Sequence, residues 1–148
     1  MIHFFKLLFG NNGQTDSENL IRIAYMEGKI NLEDIDMINH EIDGLYISKN
    51  DLRIDHSHIS RMKHSLPKKN FQKFKLIYLL VRKFMKNKEL SEERLSLLTS
   101  IISILHYERS RVVELIKSLV SNIISGNSLN EAYSRLEYLL QPRKMNFN

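Results

Sequence analysis

Length, composition and charge limit the classes of protein to which this chain can belong. It has 148 residues, of which 43% are hydrophobic and 26% are charged, as in an ordinary globular domain and unlike a disordered chain. It contains no cysteine, which excludes disulfides, thiolate metal sites and cysteine nucleophiles. No apolar run approaches the roughly 18 residues that a transmembrane helix needs.

The chain begins with an apolar segment, residues 1–15, and residues 16–148 are predicted to form a single helical domain. The segment contains Phe4, Phe5, Leu8 and Phe9 but is too short to cross a membrane, and it lacks the small-residue cleavage site of a signal peptide. We interpret it as a cover for the core of the domain. The alternative is a small anchor at a membrane surface, for which one lysine and ten residues supply little binding energy.

The remaining apolar residues recur at helical spacing and predict an all-α fold of about seven helices, with no strand. The helices are predicted at about 16–27, 31–44, 51–65, 67–86, 91–105, 108–125 and 128–141. Asn31, Ser91 and Ser128 have the side chains that cap a helix start, and Ser128 with Glu131 forms a capping box. The fourth helix has the widest apolar arc, so we expect it to be central and the most buried.

An internal duplication constrains the architecture most strongly. The segment from Glu27 to Asp34 recurs in degraded form from Asn87 to Arg94, 60 residues later. The apolar positions on both sides repeat at the same spacing, so that Leu20 answers to Leu80 and Ile38 to Leu98. The pattern predicts two similar helix–loop–helix copies, over residues 20–45 and 80–105.

The duplicated loop resembles that of the TerB-like (tellurite-resistance TerB) family. In that family the loop reads Asp-Gly, a small or basic residue, an aliphatic residue, a helix cap and then paired acids. Here Glu27 and Gly28 stand at Asp-Gly, and Asn31 stands at the cap. Glu33 and Asp34 stand at the paired acids.

The resemblance extends over residues 17–119, and it implies an all-helical domain without enzymatic activity. The family is associated with stress responses, including tellurite and phage resistance, and with the inner face of the cytoplasmic membrane. Its acidic loop positions are linked to divalent metal. In the second copy of this chain Asn87 and Lys88 replace Asp-Gly, which removes the leading carboxylate.

The first loop supplies the candidate metal ligands, Glu27, Glu33 and Asp34. Carboxylate oxygens suit calcium or magnesium, although the spacing is not that of an EF-hand. The alternative is that Glu33 and Asp34 only stabilise the positive end of a helix dipole while Glu27 is solvated. We expect no cofactor for folding, a weak calcium or magnesium site at most, and an empty second loop.

Charge is segregated along the chain. Residues 1–60 hold five Lys/Arg and ten Asp/Glu, whereas residues 61–88 hold ten Lys/Arg and no acid. Helical spacing aligns part of this basic segment, and the candidate contacts to an anionic partner are Lys68, Lys69, Lys75, Arg82 and Lys86. The segment either binds nucleic acid or an anionic membrane, or it partly neutralises the acidic first segment.

No arrangement of residues suggests an enzyme. His56 and His58 point about 200° apart on a helix and cannot share a metal. Asp55, His56 and Ser57 are the residue types of a catalytic triad, but adjacent residues cannot turn their side chains toward one another as a triad requires. We therefore predict a non-enzymatic, cytoplasmic, TerB-like binding or scaffold module in a stress-response or membrane-associated assembly. Protein partners are the leading expectation, a membrane surface comes next and nucleic acid last, and the sequence predicts no oligomeric state.

Overall fold

A computed structural model of the chain describes residues 15–53 and 56–141, the side chain at position 56 excepted. In these residues seven α-helices form and no strand does, which confirms the predicted all-α bundle. The helices are α1 over residues 15–26, α2 Leu32–Glu41, α3 His56–Ser65, α4 Asn70–Phe84, α5 Glu92–Ile102, α6 Arg109–Ile124 and α7 Leu129–Leu136. Short 3₁₀ helices lie at Lys49–Leu52, Ser103–Leu105 and Glu137–Leu140. The predicted N-terminal segment falls almost wholly outside the described residues.

Side-chain caps begin three of the helices at the predicted residues. The Asn31 side chain accepts a hydrogen bond from the backbone N–H of Asp34 at 2.9 Å, and Asp34 accepts one in return from the Asn31 N–H. Ser91 accepts from the Arg94 N–H at 3.2 Å. Ser128 forms the predicted capping box with Glu131. Each cap satisfies an amide of the first turn that has no partner within its helix.

The two copies of the duplication share their helix starts and their buried positions. Asn31 and Ser91, 60 residues apart, are the caps of α2 and α5. Equivalent residues that are both buried are Leu20 with Leu80, Ile21 with Val81, Ala24 with Phe84, Ile38 with Leu98, Ile42 with Ile102, and Leu45 with Leu105. Leu90 and Leu95 are only partly buried, but they pack against the same core. One repeat of secondary structure and burial therefore underlies both halves.

The loops of the two copies end their first helix differently. In the first loop the N–H of Lys29 donates to the carbonyl of Ala24 at 2.8 Å, and Gly28, with a φ of 74°, occupies the left-handed position that closes such a helix end. In the second loop Lys86 and Glu89 exchange two backbone hydrogen bonds. Asn87 and Lys88 between them both have positive φ, as a type I′ turn requires.

Helix α4 is the central element, as predicted from its apolar arc. Eight of its 15 residues are buried, and it packs against α5, α6, α7 and the 3₁₀ helix Glu137–Leu140. Phe74 and Phe84, near its two ends, are completely buried. Its observed start at Asn70 and end at Phe84 are two or three residues inside the predicted bounds, because Lys69 and Met85 have extended backbone.

The third predicted helix, 51–65, is shorter in the structure. Its predicted beginning falls within the 3₁₀ helix Lys49–Leu52, and α3 starts at His56. No residue of α3 from position 57 onward is buried, although Ile59 and Met62 are partly covered. Sparse apolar residues give this segment little packing energy to extend a helix.

The connection after α2 is not helical, and a side chain of α2 holds its backbone in place. The side-chain amide of Asn39 donates to the carbonyl of Ile47 at 2.9 Å and accepts from its N–H at 2.7 Å. This pair holds the extended residues 45–48 against α2, with Leu45 and Ile47 buried. Helix α2 therefore ends at Glu41, whereas the helix predicted from the apolar spacing continued to Gly44.

Candidate functional site

The three acids of the first loop have separate partners or none. The carboxylate of Glu27 forms an ion pair with the ammonium of Lys63 on α3. Asp34 accepts from the backbone of Asn31 at 2.9 Å, and Glu33 is exposed in the first turn of α2. Over residues 15–53 and 56–141 no group of three or more His, Cys, Asp or Glu side chains is placed to hold a metal ion. Glu33 and Asp34 lie at the start of α2, where acids stabilise a helix, and weak calcium or magnesium binding stays a prediction.

The predicted basic stripe of α4 is interrupted in its middle. Lys68 and Lys69 are exposed at the beginning of the helix, and Arg82 and Lys86 are exposed at its end. Lys75, between them, is half-buried and engaged in a contact. One turn farther on, Tyr78 and Leu79 are buried on the same side. The structure therefore separates the candidate cations into two exposed ends, which lie about 22 Å apart at 1.5 Å of rise per residue.

Two lysines of the basic segment face the acidic first segment. Lys63 pairs with Glu27, as described above, and Lys83 donates from its ammonium to the carbonyl of Asp43 at 3.2 Å. Partial burial lowers the pKa of Lys83, and the negative charges of Asp43 and Glu18 oppose that shift. These contacts support the interpretation that part of the basic segment neutralises the acidic one.

Aromatic rings engage two further cations. The guanidinium of Arg82 lies 6.0 Å from the centre of the Tyr78 ring, and the ammonium of Lys73 lies 5.3 Å from that of Tyr107. The hydroxyl of Tyr107 is buried and has no hydrogen-bond partner in the described part of the chain. Burial, and to a smaller extent Tyr133, raises the pKa of Tyr107 to about 12. Tyr107 stays a neutral phenol at physiological pH.

Sequence reasoning gave no role to Tyr107, because a tyrosine in a polar connection looks like an ordinary surface residue. Its partner Tyr133 packs edge-on against Phe71 and Phe74 at ring distances of 5.0 and 5.2 Å. Phe74 is fully buried, and Phe71 is partly buried. The aromatic group therefore fills the space between α4 and α7, and the packing across helices was not visible in the sequence.

The histidine side chains that the structure describes lie at the surface. Nδ1 of His40 is 2.8 Å from the carbonyl oxygen of Asp36, one turn back on α2. His58 and His64 are exposed on α3, and the side chain of His56 lies outside the described residues. The described titratable groups with shifted pKa values lie in separate segments: Asp16 in α1, Lys83 in α4, Tyr107 in the connection before α6 and Glu131 in α7.

One exposed aromatic residue is held by a fixed backbone. Tyr46 has 68% of its surface exposed, whereas its neighbours Leu45 and Ile47 are 3% and 0% exposed. The two hydrogen bonds from Asn39 fix the backbone on which Tyr46 stands. A tyrosine presented in this way loses little conformational freedom when it contacts a partner.

The helices of residues 15–53 and 56–141 include none that is both long and apolar enough to span a bilayer. Comparison with known proteins gives no relative: no family model matches this chain, and neither a curated protein nor a solved structure resembles it significantly. The TerB-like resemblance therefore stays a prediction that rests on the residues of the duplicated loop.

Proposed function

We propose that this chain is a non-enzymatic TerB-like binding module that acts through protein partners in a stress-response or membrane-associated assembly. The observation that carries the proposal is the duplicated helix–loop–helix, in which Asn31 and Ser91 cap equivalent helices 60 residues apart. The helix caps of the duplicated loop thus stand at equivalent positions in both copies, which supports the proposal. A location in the cytoplasm, or at the inner face of its membrane, belongs to the same proposal.

Tyr46 is the contact residue that we assign to this function. Exposed aromatic side chains on a fixed backbone are typical anchors of protein interfaces. The side chain of Tyr46 is more exposed than those of Leu32, Ile124 and Tyr138, the other large apolar residues at the described surface. It also lies directly after the first copy of the duplication, five residues beyond the end of α2.

The test is capture of partners from the native host by the full chain, followed by calorimetry with the purified partner. The change Tyr46→Ser should weaken binding by about 30-fold, the effect of losing an interface anchor. The matched control Tyr138→Ser removes another exposed ring elsewhere and should leave the affinity unchanged. Failure to isolate any stoichiometric complex would contradict the proposal. So would a catalytic turnover that a single side-chain change abolishes.

A further inference from the structure

Helix α3 differs from the other helices because its surface is almost entirely exposed. Each of the other six helices buries at least two side chains, whereas residues 57–65 of α3 bury none. Ile59 and Met62 are its partly covered residues and face the protein. The opposite side of the helix carries Ser57, Ser60, Arg61 and His64, all of them exposed. A polar helix with so little packing is unusual unless its surface has a use.

Three cations on and after this helix have no partner in the described part of the chain. Arg61 lies on α3, and Lys68 and Lys69 lie in the connection to α4. All three side chains are exposed, and none of these side chains forms an ion pair, hydrogen bond or ring contact there. Lys63, by contrast, is occupied by Glu27. We call Arg61, Lys68 and Lys69 the α3 cationic face.

No carboxylate close in sequence compensates the α3 cationic face. No Asp or Glu occurs from residue 56 to residue 91, except for Glu89 at the far end of α4. Lys69 is also the cap residue of α4 and makes no side-chain cap, and the first turn of that helix contains no acid. Two positive charges therefore stand beside the positive end of a helix dipole, which costs stability and favours an external anion.

The chemistry of the surface decides which anion fits. Residues 56–70 contain no Phe, Tyr or Trp, so the face has no platform on which unpaired bases could stack. The exposed large apolar residues, Leu32, Tyr46, Ile124 and Tyr138, lie in other segments. The face therefore lacks the apolar anchors that insert into a membrane or form the dry centre of a protein interface. Exposed cations without aromatic or exposed apolar neighbours in the same segment suit the regularly spaced phosphates of a duplex.

We propose that the α3 cationic face binds the phosphate backbone of double-stranded nucleic acid without reading its sequence. Neutralising three phosphates gives a slope of about −2.7 for the logarithm of affinity against that of salt. The affinity should therefore fall about 40-fold between roughly 50 and 200 mM salt. The proposal is independent of a TerB-like protein partner, because it uses none of the residues assigned to that function.

The test is fluorescence anisotropy with a labelled duplex of about 20 base pairs, two helical turns, and the full chain. The triple variant Arg61→Gln, Lys68→Gln, Lys69→Gln should reduce the affinity by tenfold or more at low salt and remove most of the salt dependence. The matched control is Lys29→Gln, Lys117→Gln, Arg135→Gln, which removes the same charge from three exposed positions elsewhere. It should change the affinity less than about threefold, because distant charges are screened. Both variants alter exposed side chains and should remain folded, and the first should melt at the same or a slightly higher temperature than the parent, because it removes two charges beside the positive end of the α4 dipole.

Four outcomes would overturn the proposal. One is the absence of duplex binding at about 50 mM salt. Another is an equal loss of affinity in both triple variants, which would show an effect of net charge alone. Tighter binding to a single strand than to the duplex would indicate base stacking at some other surface. Binding to vesicles of anionic phospholipid without binding to the duplex would assign the face to a membrane.

Discussion

Gly28 and Lys88 occupy equivalent positions in the two loops, 60 residues apart, and both have left-handed backbone. Their φ angles are 74° and 61°. Glycine adopts this conformation without strain, whereas a residue with a side chain does so at a cost of about 1 kcal/mol. At this one position the second copy therefore retains a positive φ, within a different turn, but has lost the residue type that suits it.

Reciprocal substitutions at these two positions test that reading. Lys88→Gly should raise the free energy of unfolding by about 0.5 to 1 kcal/mol, because it removes the strain of the turn. Gly28→Ala should lower it by about 1 kcal/mol, and a methyl group at Gly28 would meet no atom within 4 Å, so that backbone strain is the whole effect. Urea unfolding followed by circular dichroism measures both values. Destabilisation by Lys88→Gly would show that the lysine side chain has a structural role in the turn.

The helix caps act at the scale of an element, and among the capping residues Glu131 has a shifted pKa. Its carboxylate accepts from the N–H of Ser128 at 3.2 Å, and that hydrogen bond is the main reason why its pKa is lowered from 4.5. The folded protein therefore holds the charged form more strongly than the unfolded chain does. This stabilisation is complete above the unfolded pKa and is lost as the pH falls through the folded pKa.

Glu131→Gln should therefore flatten the pH dependence of unfolding below a pH of about 4.5. Glutamine retains an acceptor for the capping box but has no charge to lose. The measurement is urea unfolding across the acid range, with Glu114→Gln, an exposed glutamate of α6, as the control. A variant as acid-sensitive as the parent would show that the Glu131 charge does not contribute to the stability of α7.

Secondary structure was largely predictable from the sequence because caps and apolar spacing are local signals. Asn31, Ser91 and Ser128 begin their helices as predicted. The ends of α2 and α4 were placed too late, since each depends on an interaction that spacing does not show. Asn39 pins the residues after α2, and a two-residue turn follows α4.

The candidate site was less predictable than the fold. Helical spacing alone aligned Lys75 with Arg82 and Lys86, but burial on that side of α4 depends on contacts between helices. The exposed cation Arg61 belonged to the segment with the fewest apolar residues, where the predicted helix was least regular. The role of a charge is decided by the presence or absence of a partner, and partners are set by tertiary structure.

At the scale of the molecule, the helices differ in how many of their described side chains are buried, with α4 and α3 at the two extremes. Helix α4 is surrounded by α5, α6, α7 and the 3₁₀ helix Glu137–Leu140, whereas α3 buries no described residue. Elements with few buried contacts open locally at low free energy, and central ones open only when the whole domain unfolds. The account of this protein depends on that contrast, because α4 is at the centre of the packing and α3 is left available for binding.

Amide hydrogen exchange of the native protein, resolved by residue, tests this contrast most directly. The account predicts that amides of residues 76–81 in α4 are among the slowest and exchange at the rate set by global unfolding. It predicts that amides of residues 59–65 in α3 exchange orders of magnitude faster in the free protein. Protection of α3 equal to that of α4 would contradict the account, because it would place the helix within the cooperative core.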